Sequence, residues 1–413
     1  MQINLKGKSI LLGITGSISA YKACDIARLF VKAGAEVHVV MTTSSERFVS
    51  ALTFEALTRN PVLTDSSECW SSDLNHIDIG KKCDIFLISP CSANTLNKLS
   101  QGIADNILTQ TALAFTKKVI IAPAANTYML SNAFSVQSLK VLRENSYDII
   151  EPQEKLLACG DIGSGALAEP SDIFYATAKV LLNDSFWEGR EVVVTGGGSR
   201  EKIDEVRYIS NFSSGKMAKS LCLALYLKGA KVTYITSMGA EGLPLEIKSI
   251  NFEDAQALLA HTQEAIDIAR QQTKNEIFLF MVAAVADFRP KYPKKGKVKK
   301  STLGDTWNVE LTQNPDVLSS LKRADIKTVG FKAEMDSKEG LGNAVKLLIQ
   351  KDVDAVCYNL LQDAKSFGGD ENEITFITQD SQVALGRSDK LTLSNKILDE
   401  SKKLFQNTKQ HNE

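Results

Sequence analysis

The chain has 413 residues, with 48 Lys and Arg against 49 Asp and Glu, a formal net charge of −1. That length exceeds one ordinary core, so two or more domains are expected, and the balanced charge carries no nucleic-acid footprint. No apolar run is long enough to span a bilayer. The amino terminus runs straight into a strand without a signal-peptide pattern, and a soluble, cytoplasmic protein without nucleic-acid or membrane partners is expected. Seven scattered cysteines, with no Cys-x-x-Cys pair, argue against a disulfide framework and against a zinc site.

In chain order, Ser9–Ile14 reads as a buried strand, Ala20–Ala33 as a helix stopped at Gly34, and Glu36–Met41 as the next strand. Asp84–Ser89 and Lys118–Ala122 are two more. The alternation restarts after residue 189. Val192–Thr195 is a strand and Ser213–Gly229 a helix with a glycine stop, followed by strands at Lys231–Thr236, Ile277–Val282 and Val353–Cys357. This βαβα rhythm predicts an α/β protein of two doubly wound, Rossmann-like domains with mostly parallel sheets, residues 1–189 and 190–413. The polar tail beyond Leu398 is expected to be a fraying helix.

In the first half, Gly13-Ile-Thr-Gly-Ser-Ile-Ser19 follows the first strand and sets Gly16 and Ser17 at a helix amino terminus, where N–H groups and the dipole favour phosphate. The spacing is not the Gly-x-Gly-x-x-Gly dinucleotide fingerprint and suits a mononucleotide instead. Thr42-Thr-Ser-Ser45 and Ser89-Pro-Cys-Ser-Ala-Asn-Thr95 supply further polar groups after later strands. An ordinary turn would explain any one of these loops, but in a parallel sheet they converge on one crevice. His76 lies in a polar loop between Asp73 and Asp78, and an imidazole there can act as base or acid. Ala158-Cys-Gly-Asp-Ile-Gly-Ser-Gly165 reads as a mobile lid with a thiol, Cys159, at its head.

In the second half, Thr195-Gly-Gly-Gly-Ser-Arg200 follows a strand. Gly196, Gly197 and Gly198 would let backbone N–H groups close on an anion. Arg200, Arg207 and Lys216 add positive charge to the same neighbourhood, and Asn211 adds an amide. Arg289–Lys300 is dense in Lys and Arg, which suits either a solvated loop or a mobile, phosphate-seeking one.

His76, Pro123-Ala-Ala-Asn126 and Ala158-Cys-Gly-Asp161 resemble the motifs of the flavin-containing cysteine decarboxylases. Thr195–Lys216 resembles the phosphopantothenate–cysteine ligase signature. Both in this order resemble the bacterial bifunctional phosphopantothenoylcysteine decarboxylase/phosphopantothenate–cysteine ligase family of coenzyme A synthesis, over nearly the full chain.

For the first domain the resemblance implies FMN, contacted by Gly16, Ser17, Thr42, Ser92, Ala93, Asn94 and Thr95. It implies His76 as the essential imidazole, Asn126 as the substrate-holding amide and Cys159 as the proton donor. For the second it implies CTP-dependent joining of 4′-phosphopantothenate and cysteine through an acyl-cytidylate, with Mg2+. Asn211, Arg207 and Lys297 would be catalytic. Gly196, Gly197, Gly198, Ala283, Asp287, Pro315, Asp316, Val317, Phe331 and Lys351 would meet the nucleotide, and Asp287 the metal. The family's flavin sites between subunits of trimers and its dimerising ligase domains imply a homo-oligomer, a dodecamer. The chain departs from the family pattern at Ala125, Ala166, Leu347, Lys332 and Tyr358-Asn-Leu360. Another cation is expected to compensate at the clamp, and Lys346 beside Leu347. A non-enzymatic flavin-binding regulator is the alternative, and a flavin prenyl-transferring enzyme a third.

Overall fold

Apolar runs too short for helices, each ending at a polar or glycine loop, pair side by side to bury both faces. The computed structural model describes residues 2–156, 162–299, 305–336, 338–360 and 368–410. They divide into two units between Leu181 and Leu182.

The first unit is built on Ser9–Ile14 (β1), Glu36–Met41 (β2), Val62–Leu63 (β3), Ile85–Cys91 (β4), Lys118–Pro123 (β5) and Asp148–Ile149 (β6). They form one parallel sheet of order β3-β2-β1-β4-β5-β6. Every residue of β4 is buried, as a central strand covered on both faces must be. Helices Lys22–Lys32 (α1), Thr43–Glu46 (α2), Ala51–Thr58 (α3), Asp78–Lys82 (α4), Ala93–Gln101 (α5), Ile107–Ala114 (α6), Thr127–Leu130 (α7) and Ala133–Glu144 (α8) supply the connections. A hairpin, Gln153–Leu156 (β7) with Ile162–Ala166 (β8), and helix Pro170–Leu182 (α9) complete the unit.

The second unit repeats the order. Glu191–Gly196 (β9), Lys231–Thr236 (β12), Lys248–Asn251 (β13), Phe278–Met281 (β14), Lys327–Glu334 (β17) and Ala355–Leu360 (β18) are parallel. Glu371–Ile377 (β19) and Gln382–Asp389 (β20) extend the sheet antiparallel, giving β13-β12-β9-β14-β17-β18-β19-β20. Two small ribbons, Glu201–Lys202 (β10) with Tyr208–Ile209 (β11) and Phe288–Pro290 (β15) with Leu311–Gln313 (β16), lie in loops. The helices are Lys216–Leu227 (α10), Ala255–Gln272 (α11), Val317–Ser320 (α12), Gly340–Gln350 (α13) and Lys390–Gln410 (α14).

Two sequence expectations shift. The break between units precedes Gly189, because Trp187 is fully buried against Phe278 of β14, ring centroids 4.9 Å apart. The tail does not fray after Leu398. Helix α14 continues to Gln410, packs on α10, buries Ser401 and sets Phe405 against Phe186. Among the described residues no helix is long and apolar enough to cross a membrane.

Candidate functional site

In both units the strand order reverses beside the first strand, between β1 and β4 and between β9 and β14. Doubly wound sheets hold ligands at that switch point, beyond the carboxyl ends of the strands. A threonine locks each switch. The Thr15 hydroxyl donates to the Pro90 carbonyl (2.7 Å) and accepts from the Ser92 N–H (2.8 Å). The Thr195 hydroxyl accepts from the Val282 and Ala283 N–H groups at 3.1 and 3.2 Å. Both threonines are fully buried. Sequence reasoning missed the pair, because a threonine at a strand end looks like ordinary β propensity.

The first unit's loops enclose a cavity of about 720 Å3. Gly16, Ser17, Thr42, Ser92, Ala93, Asn94, Thr95 and Asn126 all line it. Ser92 caps α5, accepting from the Thr95 N–H, and Thr42 caps α2. Asn126 caps α7, its Oδ1 accepting from the Tyr128 N–H at 2.9 Å. Gly16 has no room for a side chain: a Cβ there would stand 2.7 Å from Ser44 Cβ. Strand β8 lies directly on the Asn126 loop, with the Ala125 N–H donating to the Gly165 carbonyl at 3.1 Å. Lys155 of β7 also lines the cavity. Its ammonium and that of Lys22 share Glu169. Lys155 is thus a cation close to Ala166, where the family pattern has lost one. Cys159 lies outside the described residues.

His76 is not among the lining residues of that cavity. It sits on a turn where the Cys69 N–H donates to the Leu74 carbonyl (2.8 Å). Its carboxylate partner is neither Asp73 nor Asp78 but Glu68, whose Oε1 accepts from Nδ1 at 2.7 Å. Asp78 is instead bonded to Asn75 and Lys81. Glu68 fixes the proton on Nδ1 and leaves Nε2 as the reactive nitrogen. The Trp70 ring meets the imidazole edge-on, 5.5 Å between centroids.

Among the described residues of the second unit, two cavities bear on the site. The larger, about 460 Å3, is lined by Ala283, Asp287, Pro315, Asp316, Val317, Phe331 and Lys351, among others. Asn211 is tethered to its rim, Nδ2 donating to the Val285 carbonyl at 3.0 Å. Lys351 is ion-paired with Asp316, which also caps α12. Leu347, one turn earlier on α13, lines the cavity, whereas Lys346 is exposed and outside the lining. Lys346 therefore does not replace the cation missing at Leu347. The smaller cavity, about 140 Å3, takes Gly197, Lys216, Lys332, Asn359 and Lys390.

The glycine run is closely packed. A Cβ on Gly196 would meet Ala218 of α10 at 2.4 Å, and one on Gly198 would meet the Asn211 carbonyl at 2.7 Å. Gly196 thus admits the Ala218 and Tyr234 side chains and Gly198 the Asn211 backbone, and Gly197 lines the smaller cavity.

Arg207 and Lys297 line neither cavity. Arg207 is committed to the buried Asp204 carboxylate and lies over the Trp307 ring at 4.3 Å. Its hydrogen bond holds the Asp204 carboxyl well below the usual carboxylate range. The pair grips the basic segment: Arg207 donates to the Val298 carbonyl (3.0 Å), and the Val298 N–H donates to Asp204 (3.2 Å). Lys297 itself is exposed on that tethered segment. Among the described residues no cluster of three or more His, Cys, Asp or Glu forms a metal cage. Asp287 is a single exposed carboxylate, the arrangement expected where Mg2+ is brought mostly by phosphates.

Residues 2–182 match the family model described as Flavoprotein, and residues 187–404 that of the DNA/pantothenate metabolism flavoprotein C-terminal domain. The coenzyme A biosynthesis bifunctional protein CoaBC of Haemophilus influenzae is 34% identical over 410 residues, 98% of this chain and 100% of that one. The Bacillus subtilis protein of the same name is 37% identical, covering 98% and 99%. Among solved structures, the C-terminal domain of a coenzyme A biosynthesis bifunctional protein CoaBC is 27% identical. It covers 54% of this chain and 100% of its own, with a TM-score of 0.43. With near-complete coverage of both chains at these identities, the chain belongs to the family of bifunctional coenzyme A biosynthesis proteins.

Proposed function

We propose that the second unit joins 4′-phosphopantothenate to cysteine at the expense of CTP, and that the first unit decarboxylates the product to 4′-phosphopantetheine with FMN. The observation that carries the reading is the convergence of Gly16, Ser17, Thr42, Ser92–Thr95 and Asn126 on one cavity at a switch point. Several independent loops meeting there suit a mononucleotide cofactor better than any single turn would.

FMN would supply reversible two-electron oxidation of the substrate thiol, which turns the neighbouring carboxylate into a leaving CO2. The chain's own work is binding and proton control. The Asn126 amide orients the substrate carboxylate, and Lys155 offers the countercharge that Ala166 lacks. His76 handles a proton at Nε2, steadied by Glu68. As His76 stands apart from its own chain's cavity lining, it would serve a neighbouring subunit's site, which makes the assembly a homo-oligomer. Cys159 would return the final proton.

In the second unit the carboxylate of phosphopantothenate must first be activated, because it is a poor acyl donor. Lys351 and Mg2+ on Asp287 would stabilise charge developing on the phosphates. Asn211, held at the rim by Val285, would then hold the acyl-cytidylate for attack by the cysteine amine. Lys297 would approach from the tethered segment. Arg207 acts through the segment it grips rather than on the substrate. A non-enzymatic flavin-binding regulator is not favoured, since it would need no second unit matched across its length. The test supplies 4′-phosphopantothenoylcysteine alone, then phosphopantothenate, cysteine and CTP. CO2 from the first and pyrophosphate from the second are expected. Silence in both would refute the proposal.

A further inference from the structure

We infer that Lys332 is the phosphate-chain cation of the second unit, standing where its two cavities meet; this rests on the nucleotide reading above. Lys332 lies near the carboxyl end of β17, a central strand flanked by parallel β14 and β18. That edge of a doubly wound sheet faces the ligand. Of the residues lining the two cavities, Phe331 and Lys332 are common to both. A chain of phosphates leaving the larger cavity toward the smaller one passes this side chain.

The neighbouring lysines are already engaged. Lys351 is ion-paired with Asp316. Lys216 pairs with Asp370 at 2.7 Å and donates to the Gly368 carbonyl at 2.8 Å. Lys390 donates to the Gly369 carbonyl, and burial together with Lys216 lowers its pKa. Lys332 has a looser tie. Its partner is Glu334, two residues along the same strand at 3.2 Å, against 2.7 Å in the Lys216 pair. An ammonium on a flexible stem can leave such a carboxylate for phosphate oxygens without any backbone movement. The opposite wall needs this, because α13 offers the larger cavity Leu347 one turn before Lys351. The wall supplies one paired lysine against the carboxylates Asp287 and Asp316, and Lys332 adds a second cation to the lining.

The test is titration calorimetry on the full-length protein with CTP and with cytidine. Wild type should bind CTP. Lys332→Ala should weaken CTP about ten- to a hundredfold, the range for losing a charged hydrogen bond, and leave cytidine unchanged. Lys332→Arg should recover most of the affinity, and Glu334→Gln should bind CTP at least as well as wild type. Lys346→Ala, outside both cavities, should be silent. Unchanged cytidine binding reports that the second unit is folded, and decarboxylation of phosphopantothenoylcysteine, carried by the other unit, should persist in every variant. If wild type fails to bind CTP, the nucleotide reading itself falls and this inference with it. If wild type binds CTP and Lys332→Ala binds equally well, the inference alone is overturned. Equal loss of CTP and cytidine would mark Lys332 as a structural prop and would also overturn it.

Discussion

A single methyl group at Gly16 should weaken flavin binding. The Cβ of Gly16→Ala would stand 2.7 Å from Ser44 Cβ and 3.3 Å from the Ser44 carbonyl carbon and oxygen. Carbon atoms in contact rest at about 3.5–4.0 Å, so one of the two loops must retreat by roughly an ångström. Gly16 and Ser44 both line the cavity, and the displacement comes out of the cofactor's space. Overpacking of this kind costs about 1–3 kcal/mol. If bound FMN must force the loops back, affinity falls by about 5- to 150-fold at 1.4 kcal/mol per decade. Fluorescence titration of apo-protein with FMN measures this directly. The control is Gly342→Ala on α13, where a Cβ meets nothing within 4 Å. It should leave flavin affinity unchanged and stabilise the helix by up to about 1 kcal/mol. Wild-type FMN affinity in Gly16→Ala would refute the assignment of this cavity to the flavin.

The remaining predictions separate the two chemistries. His76→Asn should lower CO2 release by about 10²–10⁴ while phosphopantothenoylcysteine accumulates, as read by quenched-flow mass spectrometry. Cys159→Ser should decarboxylate but stall before the saturated product, since a hydroxyl is a far weaker acid than a thiol. Asn211→Asp should trap the acyl-cytidylate, because a carboxylate there repels the anionic intermediate. Lys297→Gln should instead slow its formation by about 10²–10³, and a wild-type rate would return the basic segment to a solvated loop. Hydrogen bonds from Ser71 and Ser72 lower the Cys69 thiol to about 7. Its thiolate therefore appears as pH rises through neutrality. In a Cys159→Ser background, alkylation followed by peptide mapping should label Cys69 half-maximally near pH 7. Burial pushes Cys83 and Cys91 up to about 12, and they should stay unlabelled.

The parallel strands were legible where burial is symmetric. Ser9–Ile14, Glu36–Met41 and Lys231–Thr236 have the same limits in sequence and structure, because short, mostly apolar runs ended by polar or glycine loops leave little choice. Strand β17 was not legible as a strand. Lys327, Lys332 and Glu334 break its apolar run, since its carboxyl end leaves the core for the ligand edge. Strands β19 and β20 alternate half-buried and exposed positions at the sheet's antiparallel end, and their pattern resembles a polar loop. Helix α14 looked like a fraying tail because its polar residues far outnumber the few it buries against α10.

At the sites, sequence reading found residues that share a crevice but not the carboxylate partners of Arg207 and His76. Gly16, Thr42 and Ser92 follow different strands, and strand order alone brings them together. The Asp204 that claims Arg207 is only three residues away, whereas His76, between Asp73 and Asp78 in sequence, pairs with Glu68. Charge spacing along a chain does not reveal which carboxylate a turn presents. Nor does it reveal how tightly Gly196 and Gly198 are packed.

Coupling of the two reactions in one chain is tested most directly with cysteine labelled with carbon-13 in its carboxyl group. Purified protein is given the labelled cysteine, 4′-phosphopantothenate and Mg2+, and released CO2 is followed by mass spectrometry. Labelled CO2 should appear only after CTP is added, in step with pyrophosphate and one for one at completion. Labelled CO2 without CTP, or pyrophosphate that never yields labelled CO2, would contradict the account.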